Sequence, residues 1–428
     1  MDAIGIMSKK DQIRKKIVII GGGFAGSVLA KKLEKRMPNN WDIFILSETN
    51  FVTYNPLLPE VVGASILPGH VQSPLRQILK RTKIRMVTVE KIDYESKVVY
   101  YNNNEPGELH YDQLVLASGV KANLSMLPGL REHSLPLKTV GDALFIRNRV
   151  IENLEQATIH KDPAKRKFLT TFVVIGGGFS GVETAGELND LLKSSERYYK
   201  NINSEDCKVI LIHGADRLLP ELPEKLGRTT EKNFLKRNID VRLKARTASI
   251  EHEKVVLNTG EVIEGSIIIS TIGTMPHAFT QDKYLPLERG RITTQADMSV
   301  MDNIWALGDC ALVPNAKDNQ FCPPTAQFAN RQAVHLANNI IAQVNGNETQ
   351  PFSYKAIGML ASIGHNKAVA EIYGIRISGL VAFLIWRAIY LVKVPTLARK
   401  VRLFLEWTWS MFFPPDIAHF GFKRTKKD

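Results

Sequence analysis

Three runs of consecutive apolar, mostly β-branched residues end in glycine: 17–20, Thr171–Ile175 and the less regular 267–272. Continuous apolar runs of this length predict strands buried on both faces, as in a parallel sheet. Residues 41–46, 113–117, Lys208–Ile212 and 304–307 are further strand candidates. Between the strands the apolar spacing turns helical, over 26–36 and 181–192. Strand alternating with helix predicts an α/β chain with parallel sheets.

One motif occurs twice. Val18-Ile-Ile-Gly-Gly-Gly-Phe-Ala-Gly26 and Val173-Val-Ile-Gly-Gly-Gly-Phe-Ser-Gly181 stand 155 residues apart. Each contains GxGxxG: Gly21, Gly23 and Gly26, then Gly176, Gly178 and Gly181. The first glycine permits a tight turn, the second lets backbone approach a pyrophosphate, and the third lets the helix pack close to its strand. Each copy follows a strand pattern and precedes a helical one, so the pair predicts two dinucleotide cradles, lined also by Phe24 and Ala25 and by Phe179 and Ser180. In the first unit, Glu48 follows the second strand and is the candidate for the ribose hydroxyls. In the second unit that strand ends in His213-Gly214, with no carboxylate. This leaves room for a 2′-phosphate near Arg217, and NADPH stays open beside NADH.

Two dinucleotides in one chain predict a resident flavin and a nicotinamide that comes and goes. Two more strands end in glycine turns, at Gly119 and at Gly308-Asp309, where Asp309 can accept from a polyol chain; Gly273 ends the third run.

Composition narrows the class. The 44% hydrophobic and 23% charged fractions belong to a folded chain, whose 428 residues suggest about three domains. Three Cys with no CxxC pair fit a reducing compartment, and no metal site is expected. The start, to Lys16, is polar and lysine-rich, without the apolar stretch of a signal peptide; Asp2 and Asp11 disfavour a transit peptide. The net charge of +13 asks for an anionic partner, and from Arg376 onward ten basic residues face three acidic ones. Residues 377–394 are apolar but broken by Arg387 and Lys393, too short a clean run to cross a membrane. Over 396–413, Leu397, Val401, Phe404, Leu405, Thr408 and Phe412 share one face. Arg399, Arg402 and Glu406 share the other, with Trp407 and Trp409 at the borders. That pattern predicts a helix lying in a membrane interface, with packing on the protein body or a dimer as the alternative.

The two GGGFxG openings, Gly181-Val-Glu-Thr-Ala-Gly-Glu-Leu188, Ile304-Trp-Ala-Leu-Gly-Asp-Cys-Ala311, Pro324-Thr-Ala-Gln-Phe-Ala-Asn-Arg-Gln332 and the tail from Trp386-Arg to Phe413-Pro-Pro-Asp-Ile417 carry a resemblance. With them the chain resembles the flavoproteins with two dinucleotide-binding domains, and among these the type II NADH dehydrogenases. The resemblance implies two Rossmann-like, glutathione-reductase-like domains followed by an amphipathic helical tail. FAD would lie on the first opening and on the Gly-Asp turn, and NADH on the second. Electrons would pass from NADH through flavin to a quinone without proton pumping, at the cytoplasmic face of an inner membrane. It implies that Glu183 faces the flavin ring and helps place the nicotinamide, with Glu187 as support. Gln327 and Gln332, after Ala326, would lie beside flavin and quinone. Arg331 stands where the second Gln is usual. Phe383, Trp386 and Ile389 are candidate walls of a quinone entrance. For Glu183 the competing reading is a carboxylate placed by the dipole in the first turn of its helix; for the glutamines it is a helix-opening cap.

The expected boundaries are 1–120 and 276–350 for the flavin domain, 121–275 for the nicotinamide domain and 351–428 for a tail region. Polar 201–206 reads as a surface loop and 345–350 as a linker. A flavin disulfide reductase would need a CxxxxC pair near residues 48–59, where no Cys occurs. A sulfide:quinone oxidoreductase, a ferredoxin-type reductase and a nicotinamide sensor remain as rivals. No nucleic-acid module is present, and a homodimer is allowed.

Overall fold

In the computed structural model the described residues are 14–202, 207–364 and 366–421. Most of the chain start, the greater part of 201–206 and the basic residues at 423–427 lie outside them. The chain opens with β1 (Lys15–Ile20), α1 (Phe24–Arg36) and β2 (Trp41–Ser47). A short helix α2 (Leu58–Val62) precedes β3 (Lys83–Met86) and β4 (Gln113–Leu116). Next come β5 (Leu135–Pro136), α3 (Val140–Ile159), β6 (Thr171–Ile175) and α4 (Phe179–Ser195). They are followed by β7 (Lys208–Ile212), α5 (Glu224–Lys236), β8 (Ile239–Arg242) and β9 (Ile267–Ser270). After β10 (Ser299–Met301), β11 (Ile304–Ala306) and α6 (Ala326–Val344), a meander of β12 (Gly358–Ser362), β13 (Ala368–Ile372) and β14 (Ile375–Gly379) leads to α7 (Leu380–Lys393) and α8 (Leu397–Phe412).

The chain divides into two compact units. Unit 1 gathers the described residues up to Val52, Pro74–Lys121 and Met275–Ala356. Its sheet runs β10-β11-β4-β1-β2-β3, parallel from β11 to β3. Ile17 to Ile20 are all buried because the sheet is covered on both faces, which is why the run is continuous rather than alternating. Leu29 and Leu33 of α1 meet Leu336, Ala337 and Ile340 of α6 in one core. The polar segment 345–350 is no loose linker: Asn339 of α6 donates to Gln350 O at 2.8 Å and accepts from its N–H at 3.0 Å.

Unit 2 gathers Thr53–Ser73, Ala122–Thr274 and the described residues from Ile357 on. Its sheet is fully parallel, β5-β9-β6-β7-β8. The C-terminal region therefore does not stand apart after residue 350; it folds into unit 2 with 53–73. Two buried guanidiniums tie it there. Arg237 donates to Asp190 (2.6 Å), to Gly186 O at the centre of α4 (3.1 Å) and to Ile363 O at the end of β12. Arg147 of α3 donates to Asp416 O (2.7 Å) and Ala418 O (2.9 Å) and lies 4.4 Å from the Phe420 ring. Charged donors on backbone carbonyls are worth more than neutral ones, about 1.5–3 kcal/mol each.

Candidate active site

At the end of β1, Gly21 has φ +110° and a Cβ there would lie 2.3 Å from Ala117 O. A Cβ on Gly26 would lie 1.9 Å from Gly21 O, so α1 closes onto the loop only because both positions lack side chains. Gly23 is the N-cap of α1, with open space where a Cβ would be, no side-chain cap and no acid in the first turn. Backbone N–H groups at the positive end of a helix are the donors a diphosphate needs. Phe24 and Ala25 begin the helix, and Glu48 is exposed just past β2 on the same carboxyl edge of the sheet. Gly119 (φ +65°) and Gly308 (φ +76°) close the two further turns, with Asp309 in the single turn Gly308–Cys310. This cradle of unit 1 fits a dinucleotide such as FAD.

The two glutamines separate. Thr325, not Gln327, caps α6 by accepting from Phe328 N–H at 3.3 Å, so the capping account of Gln327 fails; the residue sits half-buried in the first turn after Ala326. Gln332 is 2% exposed, and its Oε1 accepts from Gly308 N–H at 2.9 Å. That buried bond ties Gln332 to the Gly308-Asp309 turn. Arg331 is exposed, with its guanidinium 5.2 Å from the Tyr354 ring. The three thiols are buried, and burial pushes those of Cys310 and Cys322 up, the latter to about 11, which makes them poor nucleophiles.

Unit 2 repeats the cradle. Gly176 has φ +115° and faces Thr271 Oγ1, 2.5 Å from a would-be Cβ, and Gly181 would meet Gly176 O at 1.7 Å. Gly178 is an uncapped N-cap, and half-buried Phe179 and Ser180 begin α4. At the end of β7, His213 Nδ1 accepts from Gly177 N–H at 3.1 Å. Gly273 (φ +71°) leaves β9 against Met126, whose Sδ a Cβ would meet at 2.6 Å. Glu183 is the fifth residue of α4, and the first turn holds no acid. The dipole account of this carboxylate therefore does not apply.

What surrounds Glu183 is a buried carboxyl cluster. Glu183 is 5% exposed and accepts from Ser362 N–H of β12 at 3.0 Å. Burial pushes its carboxyl up to about 8, against the Ser362 hydrogen bond, and Glu60 adds to the rise. Glu187, one turn on, accepts from Ser65 Oγ at 2.6 Å, and burial, then Glu60 and Asp190, raise it well above the ordinary range. Gly63, just after α2, gives it room: a Cβ there would lie 2.5 Å from Glu187 Oε2. Glu60 of α2, buried and pushed up to about 7 by desolvation, is restrained by the Arg387 guanidinium and by the Trp407 N–H. Carboxyls raised like those of Glu60 and Glu183 exchange protons near neutral pH, which suits a reaction that consumes them. Glu60 and Arg387 were missed. The available signal was a single acid inside the apolar run Leu57-Leu58-Pro59-Glu60-Val61-Val62.

The tail splits into two faces. Phe383 and Trp386 of α7 and Leu403 and Trp407 of α8 are buried in unit 2. Leu397, Val401, Phe404, Leu405, Trp409 and Phe412 are exposed. Trp407, expected at a border, points inward because Glu60 accepts its N–H. Glu406, expected outward, accepts from Leu67 N–H at 2.6 Å and pairs with His70. No helix among the described residues is long and apolar enough to cross a membrane.

Comparison with known proteins agrees with this build. The pyridine nucleotide-disulphide oxidoreductase model matches residues 15–333, and the NDH2 C-terminal domain matches 357–416. A probable NADH dehydrogenase of Dictyostelium discoideum is 28% identical over 95% of this chain and 91% of its own. A type II NADH:quinone oxidoreductase of Mycobacterium tuberculosis is 29% identical over 92% of this chain and 88% of its own. The structure of NDH2 from Plasmodium falciparum in complex with NADH shares the fold, with a TM-score of 0.88 at 20% identity over 95% of this chain and 100% of that one. The chain belongs to the pyridine nucleotide-disulphide oxidoreductase family, and its C-terminal region is an NDH2 C-terminal domain.

Proposed function

We propose that this chain is a type II NADH:quinone oxidoreductase, a non-pumping flavoprotein attached to the membrane surface at its cytoplasmic face. The observation that carries this is the pair of glycine cradles, each on its own parallel sheet, in a chain that ends in an NDH2 C-terminal domain. FAD, when bound, supplies the redox chemistry, taking a hydride from NADH and yielding two electrons to a quinone. The chain's own residues bind, orient and buffer protons. The N-terminus of α1, after Gly23, holds one diphosphate and that of α4, after Gly178, the other. Gln332 fixes the Gly308 turn, and with it the place of Asp309 against a ribityl chain. Glu183, with Glu60 and Glu187 behind it, holds protons at its Oε atoms near neutral pH for the reduced acceptor. Gln327, half-buried in the first turn of α6, is left as the polar group for the acceptor.

Membrane attachment rests on the outer face of α8, where Leu397, Val401, Phe404, Leu405 and Phe412 are exposed, with Trp409 beside them. Apolar side chains of this size on one side of a cationic helix suit an anionic bilayer surface. Because the inner face of α8 belongs to the unit 2 core, the test is substitution and not truncation.

The purified protein is expected to be yellow, with NADH bleaching the flavin band and a short-chain quinone restoring it. A colourless preparation that takes up no added FAD would overturn the reading.

A further inference from the structure

The end of β7 has the chemistry of an anion site rather than of a ribose-hydroxyl site. In a dinucleotide fold the residue there decides between the two nicotinamides: a carboxylate accepts from the 2′-hydroxyl, while a nearby Arg pairs with a 2′-phosphate. His213 occupies that position. Its Nδ1 accepts from Gly177 N–H, so the ring proton sits on Nε2. That Nε2 is buried and has no hydrogen-bond partner among the described residues. A donor therefore waits where an acceptor would be needed for the 2′-hydroxyl.

The nearby cations come from a turn far along the sequence. Ala245 N–H donates to His213 O at 3.0 Å, and Lys244 N–H donates to Ala215 O at 2.8 Å, so the segment after β8 is stitched to the residues that follow β7. This lays the Arg246 side chain across Gly214: a Cβ on that glycine would lie 3.9 Å from Arg246 Nε. Arg246 and Lys244 are exposed and make no ion pair among the described residues, whereas Arg242 is engaged by Asp240 and Glu261. Arg217, the cation suggested by sequence, donates instead to Pro220 O at 3.0 Å. The acids facing the imidazole are Asp216 and Glu221, both exposed and both beyond the strand end.

We infer that the nicotinamide cradle of unit 2 accepts a 2′-phosphorylated adenosine, with His213 Nε2–H and Arg246 as its phosphate donors, so that NADPH serves as well as NADH. This rests on reading unit 2 as the nicotinamide site. Arg pairs with phosphate through two parallel N–H bonds, the strongest polar contact available to it.

The test uses the FAD-loaded full chain. Calorimetric titration with 2′,5′-ADP and with 5′-ADP reads the phosphate preference without turnover, and oxidation of NADPH and NADH with a water-soluble quinone reads it in catalysis. Expected are 2′,5′-ADP binding within tenfold of 5′-ADP or tighter, and kcat/KM for NADPH within tenfold of that for NADH. Arg246→Ala, at an exposed position, should lower the 2′,5′-ADP to 5′-ADP affinity ratio at least fivefold, and His213→Glu should move it the same way. Binding of 2′,5′-ADP more than tenfold weaker than 5′-ADP, or an unmoved ratio in Arg246→Ala, would overturn the inference. If 5′-ADP itself does not bind and NADH is not oxidised, the nicotinamide reading of unit 2 fails first, which is a separate result.

Discussion

Trp407 of α8 gives its indole N–H to Glu60 Oε2 of α2 at 3.0 Å, across 347 residues of sequence. Both groups are buried, and Arg387 of α7 locks the arrangement by donating to Trp407 O at 2.8 Å with its guanidinium 5.4 Å from the indole ring. Replacing Trp407 by Phe keeps an aromatic ring but leaves a buried carboxyl without its donor. The expected cost is about 1–3 kcal/mol in urea unfolding of the FAD-loaded protein. A change under about 0.5 kcal/mol would mean that the hydrogen bond adds little beyond packing.

Glu183 predicts a direction for the pH dependence of stability. Its carboxyl titrates near 4.5 when unfolded and near 8 when folded. Below 4.5 both states hold the proton. Between the two values only the folded chain holds it, so stability falls as pH rises through this window and levels off above it. Glu60, near 7, and Glu187 act in the same sense. From pH 5 to pH 8 a single such carboxyl contributes a loss on the order of 4 kcal/mol. Urea unfolding at the two pH values should show the wild type losing stability and Glu183→Gln losing visibly less. Equal slopes in both proteins would contradict the placement of the proton.

Much of this molecule was legible from local pattern. The strand from 171 to 175 and the one from 208 to 212 coincide with β6 and β7, because a strand covered on both faces has no polar position to blur its ends. The glycine openings were readable because a steric demand is written in the residue type itself. The carboxyl cluster was not. It assembles from α2, α4, β12, α7 and α8, and no local spacing joins Glu60 to Trp407 or Glu183 to Ser362 N–H. The placing of Trp407 and Glu406 on α8 failed for the same reason, while the apolar face expected outward is exposed. A helical projection gives angles, but Glu60 and His70 decide which side turns inward, and they lie more than 300 residues earlier. Arg246 escaped because the turn that brings it to Gly214 is set by backbone bonds and not by a motif.

The two cradles should fail separately. Gly21→Ala forces a Cβ to within 2.3 Å of a backbone oxygen at a positive φ, and Gly176→Ala places one 2.5 Å from Thr271 Oγ1 at φ +115°. Strain of this kind costs on the order of 1–3 kcal/mol at each residue before any clash. Gly21→Ala should come off purification with little or no flavin. Gly176→Ala should stay yellow and lose NADH-dependent bleaching by at least tenfold in rate. Loss of flavin from Gly176→Ala and retention by Gly21→Ala would reverse the assignment of the units.

Gln332→Ala distinguishes a positioning role from a catalytic one. The substitution leaves Gly308 N–H without its acceptor, for a loss of about 1–2 kcal/mol in holding the turn, or roughly tenfold in FAD affinity. With saturating FAD, quinone reduction should recover to within about threefold of wild type. A kcat that stays a hundredfold down at saturation, with flavin bound, would restore Gln332 to the chemistry.

Phe404 and Phe412 are 55% and 75% exposed on the outer face of α8, so they can be altered without opening the unit 2 core. Burying a Phe side chain in an apolar phase is worth about 1.5–3 kcal/mol. Changing both to Glu removes that gain and adds two anions facing an acidic surface, so the membrane partition coefficient should fall by more than about a hundredfold. Sedimentation with vesicles containing anionic lipid measures this directly. Turnover with a vesicle-embedded quinone should then drop far more than turnover with a water-soluble one. Raising the salt should release the wild type only in part, because the apolar contribution is not screened. Complete release by salt alone would show that charge, and not the apolar face, holds the protein to the membrane.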